Sequence, residues 1–362
     1  EEHGAMRKQL LALICEDPED KSDDAFNDLA LLIYRYQFEH NLPYRKFCLM
    51  RDLPPEKIAC WKEIPALPVT AFQLPNISCQ AIEQAKKLFY SSGTTRGIGA
   101  SVEKRSHHAL FDEAIAKAAI LSHFKKKMLP DDTRVRFFIL TPSPKDAPNS
   151  SLSYMMEVIR EAFGTDESKY YIHNERLLSD SLAYDLSEVK EPVALLGTSF
   201  SFVHFIDFLV ERNDPIELPH KSRVMDTGGF KGRSRTVSSH WLYAMIEKQL
   251  GVQASYCVNE YGMAEMTSQF YDGVAGVPHS RIHYPPPQTR WQILSPETLQ
   301  PVKEGEVGLV AIYDLANIDS VSAILTEDLA KAVHGGIEII GRAAGAGLKG
   351  CSIGLDTLLT PS

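Results

Sequence analysis

Apolar residues recur with a helical spacing in some parts of the chain and form short extended, β-rich segments in others. Near the N-terminus, the stretch "DLALLIYRYQFEHN" (residues 28–41) repeats apolar residues every three or four positions, which predicts an amphipathic helix. Prolines at Pro54, Pro55 and Pro68 then interrupt the helical pattern. We therefore predict a helical N-terminal region within residues 1–87.

From residue 106 onward, helical and extended patterns alternate. The helical pattern covers residues 106–128, 153–163, 202–213 and 238–251, and the β-rich segments are 134–144, 192–199, 221–229 and 254–262. Strands that alternate with helices are typical of an α/β fold in which helices cover a mostly parallel sheet.

The pattern changes again after residue 281. The segments "RWQILSP", "GLVAIYDL" and "GGIEIIGR" are short, β-rich and separated by turn-forming residues. We therefore predict a large α/β region over residues 1–280 and a smaller β-rich subdomain with a short C-terminal tail over residues 281–362.

Composition and charge narrow the class of protein. The chain has 362 residues, 44% of them hydrophobic, and a net charge of -9, which predicts a globular protein and argues against binding nucleic acid. No apolar run approaches the roughly 18 residues that a membrane span needs, and the first residues do not read as a signal peptide. The six cysteines are scattered without metal-ligand spacing, so a reducing cytoplasm is the expected location.

The stretch "LFYSSGTTRGIG" (residues 88–99) has the composition of an anion-binding loop. Hydroxyls of Ser91, Ser92, Thr94 and Thr95, with Gly93 between them, would let side chains and backbone N–H groups surround a phosphate. A solvated surface loop is the alternative. The Walker pattern of a P-loop is absent, so that class of nucleotide site is not indicated.

Further motifs follow the loop in a recognisable order. "NEYGMAEMTS" supplies Tyr261, Gly262, Met263 and Glu265, and "LTEDLAKAVHGGIEIIGR" supplies Asp328 and the Gly341–Arg342 pair. With the loop, these motifs resemble the adenylate-forming superfamily of acyl-CoA synthetases, adenylation domains and luciferases. The resemblance implies the N-terminal-domain fold of that superfamily, with ATP and Mg²⁺ as cofactors.

The resemblance also assigns roles, each with a plainer alternative. The loop would bind the triphosphate, Gly228 and Gly229 in "MDTGGFKGR" would lie against adenine, and Asp328 would accept hydrogen bonds from the ribose hydroxyls. Glu265 would hold Mg²⁺, and Arg342 would contact the phosphate or ribose. The plainer alternative for Glu265 is an exposed glutamate that begins a helix, and for Asp328 it is an acidic residue in a turn. Arg342 would then be an ordinary surface arginine, and Gly228 and Gly229 would belong to a turn that ends a strand.

The C-terminus indicates one branch of the superfamily. Only 20 residues follow Arg342, so we expect the mobile C-terminal domain of full-size members to be largely absent. This short form resembles the LuxE-type acyl-protein synthetases, which activate a fatty acid as acyl-AMP and accept the acyl group on a C-terminal cysteine. Cys351 in "GLKGCSIGL" would be that acceptor. Lys349 would lower the pKa of its thiol or contact the acyl phosphate; a buried structural cysteine and a solvated lysine are the alternatives.

That resemblance implies a fatty-acid substrate and a partner protein such as an acyl reductase or acyltransferase. Three other functions stay open: an acyl-CoA ligase or other carboxylate-adenylating enzyme, a serine acyl hydrolase or transferase that uses Ser199 and His204, and a non-catalytic acyl- or nucleotide-binding scaffold. The hydrolase pattern lacks the second glycine of a nucleophile elbow, because Ser201 stands at that position.

Overall fold

The computed structural model describes residues 2–15, 23–91, 105–132, 134–228 and 237–343. Among these residues, contacts separate two compact units. The first, here called the terminal unit, is drawn from Glu1–Ala119, Met263–Ser268 and Tyr284–Ser362. The second, the central unit, is drawn from Ile120–Gly262 and Gln269–His283.

The described helices are α1 (Glu2–Cys15), α2 (Asp23–His40), α3 (Leu42–Met50), α4 (Glu113–Met128), α5 (Ser151–Phe163), α6 (Ser179–Ser187), α7 (Ser199–Arg212) and α8 (Ser239–Leu250). The described strands are β1 (Leu67–Pro68), β2 (Lys87–Tyr90), β3 (His107–Leu110), β4 (Arg136–Pro142), β5 (Lys169–His173), β6 (Arg176–Leu177), β7 (Val193–Thr198), β8 (Arg223–Thr227), β9 (Cys257–Tyr261), β10 (Phe270–Tyr271), β11 (Thr289–Leu294), β12 (Val307–Asp314), β13 (Ala323–Val333) and β14 (Gly336–Arg342).

The central unit contains a sheet of seven strands in the order β10-β9-β8-β7-β4-β5-β6. Strands β5, β4, β7, β8 and β9 pair in parallel, and the outermost strands β6 and β10 pair antiparallel to their neighbours. The mostly parallel sheet expected from the alternating pattern is confirmed.

Helices cover both faces of this sheet because alternate residues of a strand point to opposite sides. Phe138 and Leu140 of β4 belong to one buried cluster with residues of α6, α7 and α8. Phe137 and Ile139 of the same strand belong to a second cluster with residues of α4 and α5. Because both faces of β4 are buried, its central residues 137–140 form an unbroken apolar run.

The terminal unit contains a mostly antiparallel sheet of five strands. Its order is β1-β13-β12-β11, and β14 pairs antiparallel with residues 328–333 of β13, beyond the residues 324–325 that pair with β1. Strands β11, β12 and β14 match the β-rich segments expected after residue 281. β13 was not predicted, because its "TEDLAK" stretch lacks the apolar and β-branched bias of a strand.

The N-terminal region is helical, as predicted, with α1, α2 and α3 followed by short 3₁₀ turns. Asn41 is the single residue between α2 and α3. Its side chain accepts a hydrogen bond from the backbone N–H of Tyr44 at 3.1 Å and so caps the N-terminus of α3. None of the described helices combines the length and apolar composition that a bilayer crossing requires.

The predicted helix over residues 106–128 is wrong at its start. Residues His107–Leu110 form β3, which pairs antiparallel with β2. The helix begins only after Asp112, whose side chain accepts the backbone N–H of Ala114 at 2.9 Å and so acts as its cap. Strand pairing outweighed the helical periodicity of this stretch.

The division into a large α/β region over residues 1–280 and a β-rich subdomain over residues 281–362 stays a prediction. When the chain is divided by its contacts, the central unit begins at Ile120. The chain returns to the terminal unit over Met263–Ser268 and again from Tyr284 onward. The helices of the N-terminal region and the later β-rich strands therefore belong to one compact unit.

Candidate active site

The candidate phosphate loop leaves the end of a two-stranded sheet. Ser91 follows β2 directly, and its backbone N–H donates to the carbonyl of Ser106, just before β3, at 2.9 Å. Ser92, Gly93, Thr94 and Thr95 lie outside the described residues. The two strands hold the ends of the loop together.

In the central unit, Gly228 follows β8 at the carboxyl edge of the parallel sheet. This is the edge where ligands bind in open α/β sheets. Gly228 has a φ of +75°, in the region that favours glycine, and a Cβ added there would meet no atom within 4 Å. Gly229, its predicted companion at the adenine, lies outside the described residues.

A buried polar network fixes the strand end that precedes Gly228. The Asp226 carboxylate accepts hydrogen bonds from Ser199 at 2.6 Å, from the Asn259 amide at 3.0 Å and from the Tyr243 hydroxyl. The Ser199 hydroxyl also lies 2.9 Å from the Gly228 carbonyl oxygen. The sequence analysis missed this network, since its members come from α7, α8, β8 and β9.

The same contacts argue against the serine hydrolase alternative. Ser199 is buried and donates to a carboxylate, whereas a nucleophile would donate to a histidine. His204 is exposed on the next turn of α7, where its ring packs edge-on against Phe200 at 4.8 Å. The structure does not bring these two residues together as a nucleophile and its base.

Tyr261 and Gly262 end the strand β9 of the central unit. The Tyr261 ring meets the rings of Phe270 and His283 edge-on, each at 6.0 Å between centroids. A Cβ on Gly262 would lie 2.5 Å from Oε1 of Glu260, which is buried and accepts a hydrogen bond from Thr227. Burial raises the pKa of Glu260 to about 7. A side chain at position 262 would therefore have to displace the end of the buried Glu260 side chain.

We predict that Gly262→Ala lowers the free energy of unfolding by about 1–3 kcal/mol, because the buried Glu260 side chain must shift to make room. Gly341→Ala is the matched control from the other glycine motif, since a Cβ there meets nothing within 4 Å. Urea unfolding of both variants checks this. Equal midpoints for the two would contradict the close-approach explanation.

Glu265 lies in the terminal unit, in an irregular turn between Gly262 and Ser268. The backbone N–H of Met266 donates to the Met263 carbonyl at 3.1 Å, and no helix starts there in the described chain. Glu265 is only 5% exposed. The alternative of an exposed glutamate that begins a helix is therefore wrong.

The donor chemistry of Glu265 fits Mg²⁺. Within the described ranges, no cluster of three or more His, Cys, Asp or Glu side chains could hold a metal ion by itself. Mg²⁺ commonly uses one or two carboxylates together with substrate phosphates and water, and does not need a full protein cage. One buried carboxylate is what such a site requires from the protein.

Asp328 and Arg342 meet across paired strands of the terminal unit. They are partners in the register of β13 and β14, and Nε of Arg342 donates to Oδ1 of Asp328 at 3.1 Å. Asp328 lies within a strand, so the turn-acid alternative is wrong. The ion pair is weak, because the Arg342 side chain is exposed to solvent.

The predicted acyl acceptor Cys351 and its neighbour Lys349 lie outside the described residues. The described cysteines are Cys15, Cys48, Cys60, Cys79 and Cys257, and all five are free thiols. Burial raises the pKa of the thiols of Cys48, Cys79 and Cys257, to about 12 for Cys48, so these groups are poor nucleophiles.

Comparison with known proteins covers most of the sequence. Residues 12–360 match the family described as "Acyl-protein synthetase, LuxE". The long-chain-fatty-acid–luciferin-component ligase of Aliivibrio fischeri is 20% identical over 345 residues, which cover 90% of this chain and 86% of that protein. The ligase of the same name from Vibrio harveyi is 20% identical over 344 residues, with the same coverage.

Solved structures show the same fold. A 2-hydroxyisobutyryl-CoA ligase in complex with 2-HIB-AMP and CoA matches with a TM-score of 0.64 and 15% identity, over 88% of this chain and 69% of that one. ATP-bound MatB from Rhodopseudomonas palustris matches with a TM-score of 0.52 and 13% identity, over 73% of this chain and 49% of that one. The predicted adenylate-forming fold is confirmed.

Proposed function

The chain belongs to the LuxE acyl-protein synthetase family, and from that membership we propose that it activates a long-chain fatty acid with ATP. The fatty-acid carboxylate attacks the α-phosphorus, pyrophosphate leaves, and acyl-AMP forms. A cysteine thiolate of the chain then attacks the acyl carbonyl, AMP leaves, and an acyl-protein thioester remains. The two relatives from Aliivibrio fischeri and Vibrio harveyi are named as long-chain-fatty-acid ligases, which supports the choice of substrate.

The observation that carries this proposal is the buried carboxylate of Glu265 in a fixed turn of the expected motif. Glu265 would hold Mg²⁺, which neutralises charge on the triphosphate as pyrophosphate leaves. When a cation is bound beside a buried carboxylate, little water lies between the two charges, so their attraction is screened less than at a surface glutamate.

Other residues would bind and orient the nucleotide. In the terminal unit, hydroxyls and amides of residues 91–95 would bind phosphate oxygens, Met263 would lie beside the nucleotide, and Asp328 would accept hydrogen bonds from the ribose, with Arg342 as a further donor. In the central unit, Gly228 and Gly229 would approach the adenine, beside Tyr261 and Gly262. Such positioning and charge stabilisation account for most catalysis of this kind of transfer.

Cys351 would receive the acyl group, and Lys349 would stabilise its thiolate or contact the acyl phosphate. The acyl group would pass on to a partner protein such as an acyl reductase or acyltransferase. The free thiols of the described cysteines support a reducing cytoplasm as the place of the reaction.

Intact-mass measurement and a pyrophosphate assay after incubation with ATP, Mg²⁺ and a panel of fatty acids test the proposal, with parallel incubations that add CoA or that supply an acyl ester without ATP. We expect an ATP-dependent gain equal to one acyl group, largest for long chains. Acyl-CoA formation without a protein adduct would instead identify an acyl-CoA ligase. Ester hydrolysis without ATP would identify a hydrolase, and the absence of pyrophosphate, adduct and hydrolysis would identify a scaffold.

A further inference from the structure

The turn that carries Glu265 is held by two buried side chains at the end of β12. The first is Asp314, which is 0% exposed. Its carboxylate accepts the backbone N–H groups of Thr267 at 3.0 Å and Ser268 at 2.8 Å, and the Ser268 hydroxyl at 2.7 Å. These bonds fix the exit of the turn.

The second side chain, Asn317, reaches the backbone of Glu265 itself. Its Nδ2 donates to the Glu265 carbonyl oxygen at 2.8 Å and to that of Val321 at 3.2 Å. Its Oδ1 accepts from the backbone N–H of Thr267 at 3.0 Å and from the Thr267 hydroxyl at 2.7 Å. One amide group therefore binds the turn on both sides of Met266.

These contacts replace the bonds that a helix or strand would provide. Backbone groups in a buried irregular segment must find partners elsewhere, and here the partners are side chains of one neighbouring segment. Residues that fix the orientation of a metal-binding side chain usually affect metal affinity strongly, although they do not touch the metal.

We propose that Asn317, supported by Asp314, is a positioning residue that fixes the backbone of Glu265 and so aims its carboxylate at the magnesium position. This inference rests on the proposed function, because it needs Glu265 to bind the metal. It adds a role for residues that lie outside the motifs found in the sequence.

Asn317→Ala tests the proposal through nucleotide binding, without fatty acid and without turnover. Calorimetry would measure how much Mg²⁺ tightens the binding of ATP to the full chain. We expect the Mg²⁺ concentration needed for half of this tightening to rise about 10- to 100-fold. Thr267→Val removes the hydroxyl contact to Asn317 and keeps the backbone contact, so it should change this concentration in the same direction by less.

Asn41→Ala is the matched control. Asn41 is also a buried asparagine of the terminal unit. Its side-chain amide donates to the Ser320 carbonyl at 3.1 Å and accepts from the Tyr44 backbone N–H, and neither of these contacts is to the Glu265 turn. Its loss should lower stability without changing the magnesium dependence. An equal change in both asparagine variants would overturn the proposal.

The Glu265→Gln background separates this inference from the proposed function. If Asn317 acts through Glu265, Asn317→Ala should cause no further change in magnesium dependence once Glu265 is Gln. A further change in that background would overturn the positioning role while leaving the metal role of Glu265 intact. If Glu265→Gln alone changes nothing, the metal role itself fails, and the inference fails with it.

Discussion

A Cys351→Ser variant is expected to lose all stable labelling by radioactive fatty acid while it still releases pyrophosphate from ATP. Acyl-AMP formation uses only the fatty-acid carboxylate and ATP, so it does not need the thiol. Thioester formation needs a thiolate, and a serine hydroxyl at the same position stays un-ionised and is a far weaker nucleophile without a base. Gel fluorography for the label and a pyrophosphate assay for the first step measure the two steps separately.

The described cysteines provide the controls for this experiment. Cys48, Cys79 and Cys257 have pKa values raised by burial, which makes them poor rivals for the acyl group. Cys15 is exposed and Cys60 is partly exposed, so Cys15→Ser and Cys60→Ser are the variants to compare. Both should label like the unmodified chain. Undiminished labelling of Cys351→Ser, or loss of labelling in either control, would move the acceptor to another residue.

The fold was predictable where strands are buried on both faces. β4 and β7 read as largely apolar runs between helical patterns, and the boundaries of β4, β7 and β8 differ from the predicted ones by only a few residues. In contrast, β3 carries two histidines beside a helical pattern, and β13 carries acidic and basic residues on one face. Both strands form through pairing with distant partners, which local sequence does not reveal.

The candidate site was predictable only where it forms short motifs. Glu265 and the Asp328–Arg342 pair were found as motifs, and the structure adds that Glu265 is buried and that Asp328 and Arg342 are bonded. Asn317 lies 50 residues from Thr267 along the chain, and Asp226 lies 33 residues from Asn259. No spacing rule connects such residues, so their roles become visible only once the sheets are assembled.

Glu265→Gln is expected to slow ATP-dependent pyrophosphate release by on the order of 10²- to 10³-fold, the usual cost of removing one group that stabilises the transition state. Glutamine keeps the shape of the side chain and removes its charge, so the buried turn should keep its packing. The loss should appear in the rate at saturating substrate, because developing charge on the leaving pyrophosphate is no longer neutralised through a held cation. Stopped-flow pyrophosphate detection over a range of Mg²⁺ concentrations measures it.

Glu260→Gln is the matched control, because Glu260 is a buried glutamate only five positions before Glu265, and the exposed fractions are 4% and 5%. Its partner is the Thr227 hydroxyl of the neighbouring strand, and burial raises its pKa to about 7, so much of it is already neutral at physiological pH. Neutral Gln should therefore replace it with little change in magnesium dependence. If both substitutions slow the reaction equally, the effect comes from the loss of a buried carboxyl group in general. If only Glu265→Gln slows it, the negative charge at position 265 is what holds the cation.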